Sequence, residues 1–257
     1  MQILAIGDVI GKPGRLAVQK LLPGLKQQFD LDLVIANAEN AAGGLGLTTS
    51  TARELLDAGV DILTSGNHIW DQKEIIPYLD GNLPIIRPLN YPSGVPGRGC
   101  MTFEHIAIVN LIGRTFIGNF DCPFRAMDQL LAGFKGNYST IIVDFHAEAT
   151  SEKVAMGRYL DGRVSAVVGT HTHVGTIDAR VLPKGTAHIT DIGMTGPSES
   201  IIGDDIQSVL NRFLTAMPHR LAVGTGNCIF NSVLVNVDDK SGQALSIERV
   251  DREVDTQ

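Results

Sequence analysis

The 257-residue chain is 44% hydrophobic and 19% charged, with a formal net charge of -7. That balance excludes a disordered chain, which needs fewer apolar and more charged residues, and a general phosphate-backbone binder, which needs clusters of Lys and Arg. No apolar stretch nears the ~20 residues that span a bilayer. The three cysteines, Cys100, Cys122 and Cys228, form neither a disulfide framework nor a thiolate zinc motif.

A chain of this length can bury a core without covalent staples. It has no repeat, linker or low-complexity segment, so one domain over residues 1–257 is expected. The odd, widely spaced cysteines and the lack of a basic, apolar leader before Asp8 point to a cytoplasmic protein.

In chain order, residues 3–6 form a short apolar run that reads as a buried strand and ends at Gly7-Asp8. A helix is predicted over about residues 13–29, kinked or split at Pro23. Residues 33–36 read as the next strand and run into Asn37-Ala38-Glu39-Asn40. The Gly-rich stretch 42–46 matches neither a P-loop nor G-x-G-x-x-G, and reads as a loop and not a phosphate cradle. A second helix is predicted over about residues 51–58, with Thr51 and Glu54 as a capping box and Gly59 as its stop. Residues 62–63 then lead to Gly66-Asn67-His68.

Between residues 99 and 119 the apolar runs 106–109 and 115–117 are separated only by short turns. Residues 141–143 lead to Asp144-Phe145-His146, a third helix covers about 152–160, and residues 166–168 lead to Gly169-Thr170-His171-Thr172-His173. The loop 191–197 is Gly-rich and either lines a pocket or is a plain turn. Residues 229–237 and 244–250 read as a hairpin around 238–242. The strand–helix alternation predicts parallel pairing in the first half, and the hairpins add antiparallel strands, so mixed sheets are expected.

Five apolar runs thus end in potential metal ligands: Asp8, Glu39, Asn67, His146 and the pair His171/His173. Ligands bind outside the carboxyl ends of strands in open α/β sheets, so parallel neighbours would bring these groups to one edge. In extended backbone, residues i and i+2 share a side, which would let His171 and His173 face one site. Each group alone has an ordinary explanation, as a cap, a surface ion pair or a structural histidine. Their company is what favours a metal site. His105, His188 and His219 lack such company and read as structural, and nothing selects among Arg53, Arg98, Arg125 and Arg158 as an anion contact.

The ordered set Gly7-Asp8, Glu39-Asn40, Gly66-Asn67-His68, His146 and Gly169-Thr170-His171-Thr172-His173 resembles the calcineurin-like metallophosphoesterase superfamily. The stretches 7–14, 36–44, 64–71, 144–153 and 169–174 resemble more narrowly the YmdB-type family of bacterial phosphodiesterases, over essentially the whole chain. The resemblance implies a four-layer αββα sandwich of two mixed sheets flanked by helices, and activity on 2′,3′-cyclic nucleotides. It departs from the superfamily pattern twice: Ile10 replaces a histidine ligand, and Glu39 replaces the bridging Asp. The narrower family implies that Asn40 fills the gap. One metal would then take Asp8, Glu39, Asn40 and His173, and the other Glu39, Asn67, His146 and His171, with Glu39 bridging.

Imidazole, carboxylate and amide ligands suit Fe, Mn, Zn or Co over Ca or Mg, and the resemblance tilts this to two iron ions per chain, with manganese or zinc as substitutes. Two such ions would draw an anionic phosphoester into an acidic protein. A hydroxide shared by the ions would attack phosphorus in line, with His68 as the general acid that protonates the leaving alkoxide. The expected partner is a small phosphoester, with no membrane and no stable nucleic-acid binding. A homo-oligomer is expected by analogy alone. Rival readings are a phosphomonoesterase or 5′-nucleotidase with the same ligands, and a non-catalytic nucleotide-binding regulator.

Overall fold

The computed structural model describes residues 1–134 and 138–255. In chain order the elements are β1 (Gln2–Ile6), β2 (Asp8–Val9), α1 (Gly11–Phe29), β3 (Leu33–Asn37), α2 (Thr49–Asp57), β4 (Ile62–Thr64), β5 (Cys100–Phe103), β6 (Ile106–Ile112), α3 (Pro123–Phe134) and β7 (Thr140–His146). The chain continues through α4 (Thr150–Leu160), β8 (Ala166–Thr170), β9 (Arg180–Val181), β10 (Ala187–Ile189), β11 (Met194–Pro197), α5 (Ile206–Thr215), β12 (Cys228–Phe230), β13 (Ser232–Val237), β14 (Ala244–Arg249) and β15 (Arg252–Val254).

Two large mixed sheets form the centre. The first has the order β14-β13-β1-β3-β4, with β1, β3 and β4 parallel. The second has the order β5-β6-β7-β8-β10-β9, with β6, β7, β8 and β10 parallel. Successive side chains of a strand point to opposite faces, and the cores follow that alternation. Ile3 and Ala5 of β1 join Ile106, Ile108 and Ile142 in the core between the sheets. Leu4 and Ile6 face outward and pack with Val18 and Leu22 of α1 and Leu55 of α2. On the other outer face, Val109, Val143 and Phe145 pack with Met127 of α3 and with Met156 and Leu160 of α4. The central strands β1, β3, β6, β7 and β8 are therefore apolar on both faces, which explains their continuous apolar runs. The layers run helix, sheet, sheet, helix, as the family resemblance implied. A third, four-stranded sheet, β15-β12-β11-β2, adds to this frame and carries Asp8.

Two helix readings need correction. α1 is not split at Pro23 but continues through it. Pro23 lies on the solvent face, where water can serve the carbonyl that loses its partner. α2 begins earlier than residue 51. Its N-cap is Thr48, which exchanges side chain–backbone hydrogen bonds with Thr51 at 3.2 and 3.0 Å. Glu54 instead accepts from Arg15 Nε at 2.6 Å, joining α2 to α1. The hairpin at 238–242 is present between β13 and β14, but Asn231 breaks the first arm so that β12 belongs to the third sheet. Residues 115–117 form no strand, and α3 and α5 arise where no helix was predicted.

Candidate active site

The carboxyl ends of β1, β3 and β4 from one sheet meet those of β7 and β8 from the other. The predicted ligands therefore converge at the junction of two sheets and not on one edge. Gly7 separates β1 from β2 and lets the chain change sheets at Asp8. Gly66 is sterically required: a Cβ there would collide with the imidazole of His146 and sit 2.5 Å from Glu39 Oε2.

Asp8 and Glu39 are fully buried, and both are held in the same way. Asp8 Oδ2 accepts from the backbone N–H of His171 at 3.1 Å, and Glu39 Oε2 accepts from the backbone N–H of His68 at 2.9 Å. The second oxygens are less well met: Asp8 Oδ1 is buried without a hydrogen-bond partner, and Glu39 Oε1 meets only the imidazole of His146. Orphaned carboxylate oxygens in a dry site are costly unless a cation or a cationic side chain answers them.

The histidines supply matching lone pairs. Thr170 Oγ1 donates to Asp144 Oδ1 at 2.7 Å, so its oxygen accepts from His146 Nδ1, 3.0 Å away. That leaves His146 Nε2 facing Glu39 Oε1 at 3.0 Å, Asn67 Oδ1 at 3.1 Å and His171 Nδ1 at 3.0 Å. Ligand atoms on one ion with bonds of ~2.1 Å stand about 3 Å apart at right angles, so this spacing suits a shared cation. Glu39, His146 and His171 offer ligand atoms all within 4.8 Å of one another. His171 turns its other nitrogen, Nε2, to Glu148 Oε2 at 3.1 Å.

Asp8, Asn40 and His173 form the second half. His173 Nδ1 donates to Ile202 O at 2.7 Å, which leaves Nε2 3.7 Å from Asp8 Oδ1 and 3.2 Å from the Asn40 amide. An Asn40 that binds a cation must present its oxygen, by rotating this amide. Ile10, at the position of the missing histidine, is buried against Gly196 and Gly203.

Electrostatics agree with the geometry. Burial raises the Asp8 carboxyl, offset in part by His173 and His146. Burial lowers the His146 imidazole, but Glu39, Asp8 and Asp144 outweigh it and push it up to about 9. Burial, aided by the neighbouring His146, pulls His171 down to about 3, so its ring is neutral. Without a cation, His146 thus holds a proton where a cation would otherwise sit.

The structure brings all seven ligand candidates together. The route for the histidine pair differs from that expected. β8 ends at Thr170, and His171 and His173 adopt φ of 101° and 64°, left-handed and not extended. They reach the site through different nitrogens, Nδ1 and Nε2. His68 is the second residue of a short 3₁₀ turn (Asn67–Trp70), and its Nδ1 lies 2.7 Å from Asp71 Oδ2.

A cavity of about 1060 Å³ opens over these groups and includes Glu39, Asn40, His68, His171 and His173. Its wall also includes Arg212, His219 and Arg220. His219 is exposed there, not structural as expected, whereas His188 is buried with Nδ1 3.2 Å from Val167 O. None of Arg53, Arg98, Arg125 or Arg158 lines this cavity. Arg212 and Arg220 were missed because they lie in and after α5, far along the chain from every ligand motif. The loop 191–197 is part loop and part β11, and Asp191 is buried beneath the histidine turn.

The sequence matches the profile of the family described as YmdB-like protein over residues 4–250. The chain belongs to this family. It is 48% identical, over 97% of its length and 96% of the relative's, to the 2′,3′-cyclic-nucleotide 2′-phosphodiesterase of Bacillus subtilis strain 168. It is 37% identical to a putative phosphatase/phosphodiesterase of Mycoplasma genitalium, covering 97% of this chain and 92% of that one. A solved structure of a hypothetical protein from Thermus thermophilus superposes with a TM-score of 0.93 at 45% identity, covering 98% and 99% of the two chains. A phosphatase from Mycoplasma pneumoniae superposes with a TM-score of 0.93 at 35% identity, covering 99% and 94%. The YmdB-like chain described here shares the layered mixed α/β fold of these relatives, two of which are named as phosphodiesterase and phosphatase.

Proposed function

We infer that this YmdB-like chain is a two-metal phosphodiesterase that opens 2′,3′-cyclic nucleotides. The observation that carries the reading is the buried cluster of Glu39, His146 and His171, whose ligand atoms lie within 4.8 Å of one another, beside the partnerless Asp8 Oδ1. The name of the 48%-identical relative supports the substrate class. Asp8, Glu39, Asn40 and His173 would hold one ion and Glu39, Asn67, His146 and His171 the other. Iron is favoured, and manganese or zinc also suits this donor set.

Bound there, two divalent ions would acidify water and neutralise phosphate charge. The chain's own groups do the rest. Backbone N–H groups of His68 and His171 fix the carboxylates, so no reorganisation is needed when charge develops. His68, oriented by Asp71, donates its proton from Nε2 to the departing 2′-oxygen as the P–O2′ bond breaks, leaving a 3′-phosphate. Arg212 and Arg220 on the cavity wall are proposed to hold the substrate's anionic or polar parts.

Residues 1–257 are read as one domain, because both large sheets share one core. No helix among the described residues is long and apolar enough to cross a membrane. A cytoplasmic setting is proposed from the odd number and wide spacing of the three cysteines. Self-association belongs to the same reading, and light scattering would test it.

The deciding experiment is elemental analysis of the untagged protein with hydrolysis of 2′,3′-cyclic AMP on the same sample. About two transition metals per chain with turnover establishes the reading. Metal without turnover keeps the site and moves the substrate to other phosphoesters, such as the monoesters suggested by the phosphatase relative. No metal uptake, even with added Mn or Fe, removes it in favour of a nucleotide-binding regulator.

A further inference from the structure

Below the histidine turn lies an ion pair that the reaction does not use. Lys153 of α4 and Asp191 are each about 1% exposed, and Lys153 Nζ donates to Asp191 Oδ2 at 2.5 Å. Taking two charges out of water is expensive, so the pair needs a reason beyond stability. Asp191 shows one. Its Oδ2 also accepts from the backbone N–H of Thr172 at 3.1 Å and from Thr172 Oγ1 at 2.7 Å. Its Oδ1 accepts from the N–H of Gly193 at 2.8 Å. Thr172 is the residue between His171 and His173, both left-handed. Gly193, also left-handed, passes its carbonyl to the backbone N–H of Asp8 at 3.0 Å.

We propose that the buried Lys153–Asp191 pair is a positioning device that locks the strained His171-Thr172-His173 turn and the Asp8 backbone in the geometry that binds cations. This rests on the two-metal reading above. The turn is costly for non-glycine residues, whose backbones rarely adopt a positive φ. Asp191 grips its middle residue twice, and Lys153 keeps Asp191 aimed. Asp191 is a positioning residue: its carboxylate reaches the ligand turn through Thr172 and the Asp8 backbone through Gly193. Removing the grip lets Thr172 rotate, and the two imidazoles then no longer present Nδ1 and Nε2 to a common site.

Manganese titration of the metal-stripped full-length chain, with competition against a chelator, tests this. Breaking a buried pair on one side leaves an unpaired charge, so the double variant Lys153→Met/Asp191→Asn is the first choice. Thr172→Val, which leaves the ion pair intact and removes only the hydroxyl, is the second. The double variant is expected to bind Mn about 10–100-fold more weakly, the usual cost of losing an outer-shell partner, with Thr172→Val losing less. In both, activity should return when Mn is raised, with kcat near wild type and KM for the nucleotide unchanged. Wild-type Mn affinity in both variants overturns the proposal. So does a kcat deficit that saturating Mn leaves in place, which marks a general structural role. If wild type itself takes up no Mn, the two-metal reading fails instead, so the two failures are distinguishable.

Discussion

His68 binds Asp71 through Nδ1 and leaves Nε2 without a protein partner among the described residues. Only its backbone N–H touches the ligand set, through Glu39. His68→Ala should therefore keep its metal and lose about 10²–10⁴-fold in kcat, the range for a lost general acid. Elemental analysis beside turnover checks this, and full activity would end the role. His146 makes a different prediction. Carboxylate neighbours hold its proton up to about pH 9 in the metal-free chain, and a cation must displace that proton. Metal affinity should fall as pH falls below 9, by about tenfold per unit, with about one proton released per chain on binding at pH 7. Calorimetry in two buffers of different ionisation enthalpy counts that proton. The motif residues themselves were legible in the sequence because side-chain chemistry is local. Which nitrogen each histidine uses was not, because Thr170, Ile202 and Glu148 decide it, and none announces that duty.

At the scale of elements, the short apolar runs gave the strands away because both faces of each are buried. The sequence pattern misjudged the helices where local signals compete. Thr51 looked like a cap because Glu54 follows it, yet Thr48 captures the same backbone groups one turn earlier and frees Glu54 for Arg15. Thr48→Ala should cost about 1 kcal/mol of stability and leave activity unchanged, as read by denaturant unfolding and turnover. Gly66 behaves oppositely. It ends a strand in plain view, but its need for close packing against His146 and Glu39 emerges only in three dimensions. Gly66→Ala should leave the far-ultraviolet spectrum intact and abolish metal uptake. Normal metal content in that variant would show that the site tolerates a methyl group there.

For the whole molecule, the two sheets bring carboxylates from the first half of the chain against histidines mostly from the second. A cation placed between them binds only the folded chain. Stripping it should lower stability by about 2.7 kcal/mol for each ion present at 100 times its dissociation constant. At ~2–4 °C per kcal/mol for a chain of this size, that is about 5–10 °C in Tm per ion, measurable by calorimetry with and without chelator. An unchanged Tm would mean that no cation answers Asp8 Oδ1 and Glu39 Oε1. The layered frame could be anticipated from strand patterning and family resemblance. The third sheet could not, because β2 is two residues long and is separated from β1 only by Gly7.

The left-handed turn at His171 and His173 has a consequence for protein design. Five letters, Gly-Thr-His-Thr-His, look like a portable cassette that could be grafted after any strand. The backbone that aims those rings is wound by a carboxylate nearly twenty positions downstream, at Asp191. Copied alone onto another scaffold, the cassette would relax toward ordinary extended chain and scatter its imidazoles. A graft would have to carry the Asp191 segment and a buried cation beneath it, so the smallest transferable unit is a piece of folded architecture.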